Sequence, residues 1–131
     1  LYNRGQAQIQ SWISTENTRT GKRVLCTGQS LGGAMSLHAH IHQPDQVDYF
    51  VINPPYLTNR EKRIYEKNSA QDVEQRTLMV LTHCNDPVRD LGSHYLPKGT
   101  QVGTYGDPKD NAIAAHACSA SCEANSPEVC F

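Results

Sequence analysis

The segment Gly28-Gln29-Ser30-Leu31-Gly32-Gly33 sets a serine between two glycines in the pattern G-x-S-x-G. Ahead of it stands the short apolar run Arg23-Val24-Leu25-Cys26-Thr27, suited to a buried parallel strand. Behind it Leu31, Ala34, Met35, His38 and Ile41 recur at helical spacing until Pro44. A strand that turns straight into a helix forces the residue at the turn into a strained backbone, costing roughly 1–3 kcal/mol. Side chains at Gly28 and Gly32 are expected to collide with such a turn, which would demand glycine on both sides. The turn raises the Ser30 hydroxyl above the carboxyl ends of the strands, where a substrate can reach it. Ser30 then opens a helix whose first amides favour developing negative charge, and the Leu31 N–H is a natural oxyanion donor. A tight turn without chemistry would use the same glycines. The flanking strand and the small residues Gly32, Gly33, Ala34 and Ser36 favour a nucleophile.

The run from Val24 to Ala34 resembles the nucleophile region of the class 3 lipases, a family of α/β-hydrolases. Those proteins usually carry histidine where Gln29 stands. Val51-Ile52-Asn53-Pro54-Pro55 resembles the family's next strand and its proline-bearing loop, and His83-Cys84-Asn85-Asp86-Pro87-Val88 resembles the segment with the acid of its catalytic triad. The resemblance runs from about Ser11 to His116 and is most specific at Gly28–Ala34 and Asn85–Val88. It implies a serine hydrolase of carboxylic esters, acting on acyl lipids, with transient contact to a lipid surface and no metal or organic cofactor. Phospholipase, thioesterase and acyltransferase chemistry would use the same triad. The rival from another class is a catalytically inactive hydrolase fold kept as an interaction module.

A serine hydroxyl is a poor nucleophile at neutral pH until a base takes its proton, and the base needs an orienting carboxylate. In α/β-hydrolases the chain order is serine, acid, histidine. Asp86 falls just past the apolar run Thr77–Thr82 and agrees with the family pattern; Asp90 is its competitor, and a plain Asn-Asp-Pro turn is the bland alternative. His116 follows the last expected strand and is the expected base, with His94 as the alternative. The resulting assignment is Ser30 as nucleophile, His116 as base, Asp86 as its orienting acid and Leu31 N–H as oxyanion donor, with Gly28 and Gly32 making the elbow.

Other features bound the reading. The chain has 131 residues with 12 Lys+Arg against 13 Asp+Glu, enough for one core and without the excess of basic residues a nucleic-acid binder uses. No apolar run approaches the roughly 20 residues of a membrane span, and no apolar signal-like region follows Leu1-Tyr2-Asn3-Arg4-Gly5. Five cysteines leave at least one unpaired within the chain. Cys26 and Cys84 read as small buried hydrophobes, while His116, Cys118, Cys122 and Cys130 fit no zinc spacing well. A reducing compartment is slightly favoured. His38 and His42 share a helix face but His40 points away, so the three read as solvated or packed residues, not metal ligands.

Around these residues the periodicity predicts a helix over 2–13, a polar loop over 17–22, a strand over 23–27 broken by Gly28, a helix over 31–41, and a strand over 47–52. A surface helix over 60–75, a strand over 77–82 and a weaker strand over 100–105 follow. Such alternation implies a mostly parallel sheet with right-handed crossovers, and the resemblance implies the α/β-hydrolase form of it, with helices on both faces. That fold normally has eight strands, and four are counted. The strand before Ser30 would be left as an apolar edge, and the second oxyanion donor, supplied in this fold by an earlier loop, would be missing. The expectation is therefore the C-terminal part of a larger hydrolase domain, or a domain whose N-terminal strands lie on another chain. Alone, the piece is expected to be poorly soluble and nearly inactive.

Overall fold

The computed structural model describes residues 2–69 and 76–117. Four strands, β1 (Val24–Gln29), β2 (Val47–Ile52), β3 (Leu78–His83) and β4 (Gln101–Tyr105), form an all-parallel sheet in the order β1-β2-β3-β4. The helices are α1 (Tyr2–Thr20), α2 (Leu31–His42), α3 (Asn59–Asn68) and α4 (Ala112–Ala117), with a 3-10 turn over Pro87–Leu91. The chain is thus an α/β protein. Register pairs Gln29 with Ile52, Ile52 with Leu81, and His83 with Tyr105, so all four strands end along one edge of the sheet.

The boundaries depart from the sequence reading where local bonds outweigh pattern. Helix α1 continues through the expected loop to Thr20. The Thr15 and Thr20 hydroxyls donate back to the carbonyls of Ser11 and Glu16 at 2.9 Å each, and Arg19 pairs with Glu16 at 2.7 Å. Gly21, at φ 65°, then closes the helix by donating its N–H to Asn17 O. Gly28 does not break β1: it stays in the ladder opposite Val51. Helix α3 opens on a capping box between Thr58 and Glu61 and ends at Asn68; residues 70–75 of the expected longer helix lie outside the described residues. The segment after β4 is not all loop, since Asn111 accepts the Ala114 N–H at 2.9 Å and starts α4.

Packing follows the alternation of each strand. Val47, Tyr49 and Val51 of β2 are fully buried; Tyr49 and Val51, with Leu78 and Val80, face Leu37 and Ile41 of α2 and Tyr65 of α3. Tyr2 and Ile13 of α1 join Ala39, Val47, Val24 and Cys26 on the same side. Helices α1 to α3 therefore cover one face of the sheet. The other face, with Leu25 at 54% exposure and Phe50, Met79 and Leu81 half-buried, has none of these three over it, so the expected cover on both faces is not supplied by them. Strand β1 has a partner on one side only among the described residues, and the apolar groove beside it, about 430 Å³, includes Trp12, Val24, Cys26 and Met35. Cys26 and Cys84 are free thiols and half-buried instead of fully buried, Cys26 packing against the cluster around Ile13; Cys118, Cys122 and Cys130 lie outside the described residues.

The three helix histidines separate. His40 is fully buried, stacks on Tyr65, meets Tyr49 edge-on and donates Nδ1–H to Val47 O at 2.6 Å. His38 pairs with Glu61 at 2.9 Å, and His42 donates back to the His38 carbonyl. Among the described residues no group of three or more His, Cys, Asp or Glu is placed to hold a metal ion.

The β1–α2 turn corrects the glycine argument. A Cβ on Gly28 would lie 2.3 Å from the Gly32 carbonyl carbon, so that glycine is sterically required. A Cβ on Gly32 would meet nothing within 4 Å, and the expected collision there does not exist. The second tight position is Gly33, whose Cβ would sit 3.0 Å from Pro54 Cβ and 3.4 Å from Gly28 O. Helix α2 approaches β1 backbone to backbone, and the next residue along carries that constraint.

Two outcomes follow for stability. Gly28→Ala is expected to lower the melting temperature sharply, whereas Gly32→Ala, inside the first turn of α2, is expected to raise stability by up to about 0.5–1 kcal/mol; thermal melts of both variants decide it. Burial keeps the His40 imidazole neutral and pushes its pKa from 6.5 down to about 4. Between those values the unfolded chain binds the proton and the folded one does not, so stability declines as pH falls from about 6.5 to about 4. His40→Gln is expected to flatten that slope by up to about 1.4 kcal/mol per pH unit in urea titrations run across the window.

Candidate active site

Strand β1 ends at Gln29 and α2 begins at Leu31, leaving Ser30 to make the whole turn. Its backbone is at φ 51° and ψ −116°, a conformation that residues with a side chain rarely adopt. Two bonds hold it there: its N–H donates to Ile52 O at 3.0 Å, and its carbonyl accepts the Ala34 N–H at 3.0 Å. Ser30 occupies the N-cap position of α2, yet its hydroxyl makes no capping bond. Instead Oγ lies 2.7 Å from His116 Nε2.

His116 comes from α4, and its ring continues to Asp86 in the turn after β3. Nδ1 lies 3.1 Å from Asp86 Oδ1 and 3.2 Å from Oδ2. An ionised carboxylate can only accept, so Nδ1 carries the proton and Nε2 presents a lone pair to the Ser30 hydroxyl. The Asp86 side chain is wholly buried, while that of His116 is partly open to solvent. Asp86 Oδ1 also accepts the Val88 N–H at 3.0 Å, and the Asp86 N–H donates to His83 O, fixing the carboxylate at the start of the 3-10 turn. A buried anion is tolerated only when its oxygens are occupied in this way.

The competing candidates lie elsewhere, and they meet each other. Asp90 is exposed and pairs with Arg89 at 3.8 Å and with His94 at 3.5 Å. His94 has a positive φ of 58° and a side chain 65% exposed. Neither is among the partners of Ser30, His116 or Asp86. Leu31 is the first residue of α2, so its N–H belongs to the helix end whose donors have no intrahelical acceptor.

Sequence reasoning missed the residues that bind the two loops together. His83, fully buried at the end of β3, accepts the Asn85 N–H on Nδ1 at 3.0 Å; Nε2 therefore carries the proton and donates to Asp110 Oδ2 at 2.8 Å. Asn85 Nδ2 donates to the Pro108 carbonyl and, at 3.2 Å, to that of Asp110. Cys84 N–H adds a bond to Tyr105 O at 2.8 Å. Gly106, at φ 96°, leaves the space these contacts need, because a Cβ there would fall 2.0 Å from His83 Nε2. Gln29 contributes from the elbow itself, donating Nε2–H to His116 O at 3.1 Å. The signal in the sequence was at most a polar residue at or just past a strand end, which plain turns also show.

Chemically, the arrangement can take a proton from a hydroxyl, store it on an imidazole that faces a carboxylate, and return it. The hydroxyl sits at the head of a helix whose end favours negative charge. No protein-family model matches this chain, and no curated protein matches it either.

Proposed function

We propose that the chain carries the active site of a serine ester hydrolase on an α/β-hydrolase scaffold of the class 3 lipase type. The observation that carries this reading is the continuous hydrogen-bonded path from Ser30 Oγ through His116 to Asp86, with a strained serine at its head. The all-parallel sheet with this path at the carboxyl ends of its strands supports the scaffold.

In the proposed reaction Ser30 Oγ attacks the ester carbonyl carbon as its proton passes to His116 Nε2. The negative charge that develops on the carbonyl oxygen is received by the Leu31 N–H and the amino end of α2; one such donor is worth roughly 2.7–4 kcal/mol. Asp86 keeps the imidazole in the required tautomer and stabilises it while it holds the proton. Collapse of the intermediate breaks the ester C–O bond, the departing alcohol takes the proton from His116, and the acyl group remains on Ser30. Water then attacks the acyl-enzyme with His116 again as base, releasing the acid and restoring the hydroxyl.

An acyl chain as the substrate's apolar part rests on the resemblance and on two exposed apolar neighbours of the site. Leu31 beside Ser30 is 58% exposed, and Ile113, one turn before His116, is 83% exposed. Among the described residues no helix is long and apolar enough to cross a membrane.

The reading is tested by fluorophosphonate labelling of the full-length protein. Covalent capture at Ser30, abolished by Ser30→Ala, is the expected result; an unlabelled full-length protein overturns the proposal. In ester turnover, His116→Ala and Asp86→Asn are each expected to lower kcat by about 10²–10⁴-fold. Asp90→Asn and His94→Ala are expected to leave it within about twofold of wild type, since both residues lie outside the path.

A further inference from the structure

Asn53 follows directly on β2, is fully buried, and has a positive φ of 48°. Its neighbours determine how the amide lies. The His83 N–H, 2.8 Å away, can only donate, so the amide turns Oδ1 to it. The carbonyls of Ala115 and His116, at 3.0 and 3.2 Å, can only accept, so Nδ2 faces them, with the Tyr105 hydroxyl at 2.9 Å. The Asn53 N–H donates to Leu81 O at 2.8 Å, and the residue before it, Ile52, receives the Ser30 N–H. A single side chain thus grips the backbone of His83, whose carbonyl holds the Asp86 N–H, and the backbone of His116 itself.

We propose that Asn53 is a positioning residue for the Ser30–His116–Asp86 site, setting the separation between the strand that leads to the acid and the helix that carries the base. The proposal rests on the serine-hydrolase reading, and Asn53 acts through the backbone of His83 and His116. Two demands select the residue type. Positive φ is tolerated best by glycine and, among residues with side chains, by asparagine and aspartate. Glycine has no amide to offer, and aspartate would turn a carboxylate oxygen toward two carbonyl oxygens. Asparagine alone combines the backbone conformation with one acceptor and one donor group on opposite sides. A displacement of about 1 Å in such a site costs roughly 10²-fold in rate, because proton transfer from Ser30 depends on the 2.7 Å contact.

The test compares the full-length wild type with Asn53→Gly, which accepts the positive φ but lacks the amide, and with Asn53→Asp. Ile13→Ala, in the α1 packing and remote from the site, is the control for lost stability. The readouts are the rate of fluorophosphonate capture at Ser30, kcat and KM on a soluble short-chain ester, and the low-field proton resonance of His116 Nδ1–H. Asn53→Gly is expected to capture the probe about 10²-fold more slowly and to lose kcat by a similar factor with KM nearly unchanged. The low-field resonance is expected to weaken with it. Ile13→Ala is expected to lose melting temperature while retaining kcat and the resonance. Should Asn53→Gly fail to fold, Asn53→Asp carries the same expectation, because it keeps the acceptor for His83 and removes the donor to His116. Wild-type capture and an intact resonance in the folded variant overturn the positioning role and leave the hydrolase reading standing. A wild type that captures no probe overturns both.

Discussion

Four parallel strands that stop in register are the constraint on which the site depends. Because Gln29 lies opposite Ile52, Ile52 opposite Leu81, and His83 opposite Tyr105, every chain segment leaving the sheet emerges along one edge. Ser30, Asn53, Asp86 and His116 belong to the segments after β1, β2, β3 and β4 respectively. Ladder hydrogen bonds fix the strand ends relative to one another, and short side-chain bonds need to span only the remaining gaps. A slip of one residue in any ladder would send every side chain of that strand to the opposite face and move a site residue by more than 3 Å.

Strain is concentrated at the same edge. Of the non-glycine residues with positive φ, Ser30 and Asn53 each stand immediately after a strand. Each is held by bonds to the neighbouring strand: Ser30 N–H to Ile52 O, Asn53 N–H to Leu81 O. Such conformations cost of order 1–3 kcal/mol apiece and survive only where surrounding packing dictates them. Here the dictating elements are the close approach of α2 at Gly28 and Gly33 and the buried strand β2. The stability invested in the sheet thereby fixes the direction of two side chains that an unconstrained turn would leave free.

Much of the fold could be read from the sequence because apolar periodicity is a local property. The strand at Val47–Ile52 and the helix starting at Leu31 were legible to the residue, the strand because Pro44 and Asn53-Pro54 flank it and the helix because its apolar spacing begins there. The end of α1 was not, because Thr15, Thr20 and Arg19 sustain it through back-bonds and an ion pair that carry no apolar signature. Ser30, Asp86 and His116 were singled out through residue type, order along the chain and the resemblance, and they lie within hydrogen-bond reach of one another. Whether Gly32 or Gly33 took the steric load was invisible, since it depends on where Val51 of β2 and Pro54 in the loop after it arrive. His83, Asp110 and Asn53 were equally hidden. A buried amide or imidazole that bonds backbone groups distant in sequence leaves no pattern around itself.

Gln29 shows how a departure from a resemblance can still keep a physical role. The class 3 lipases usually carry histidine at this place, and glutamine is neither a base nor an aromatic ring. What the site takes from position 29 is an N–H: Nε2 donates to the His116 carbonyl at 3.1 Å, beside the Asn53 amide on the same oxygen at 3.2 Å. The Gln29 amide thereby ties the helix that carries His116 to the turn at Ser30. The carbonyl of His116 is then held from β1 and β2 together, while its ring is held by Ser30 and Asp86. Fixing both the backbone and the ring of one residue leaves its imidazole few ways to turn from the hydroxyl. In the proposed reaction, that restriction of orientation is what lets His116 act as the general base.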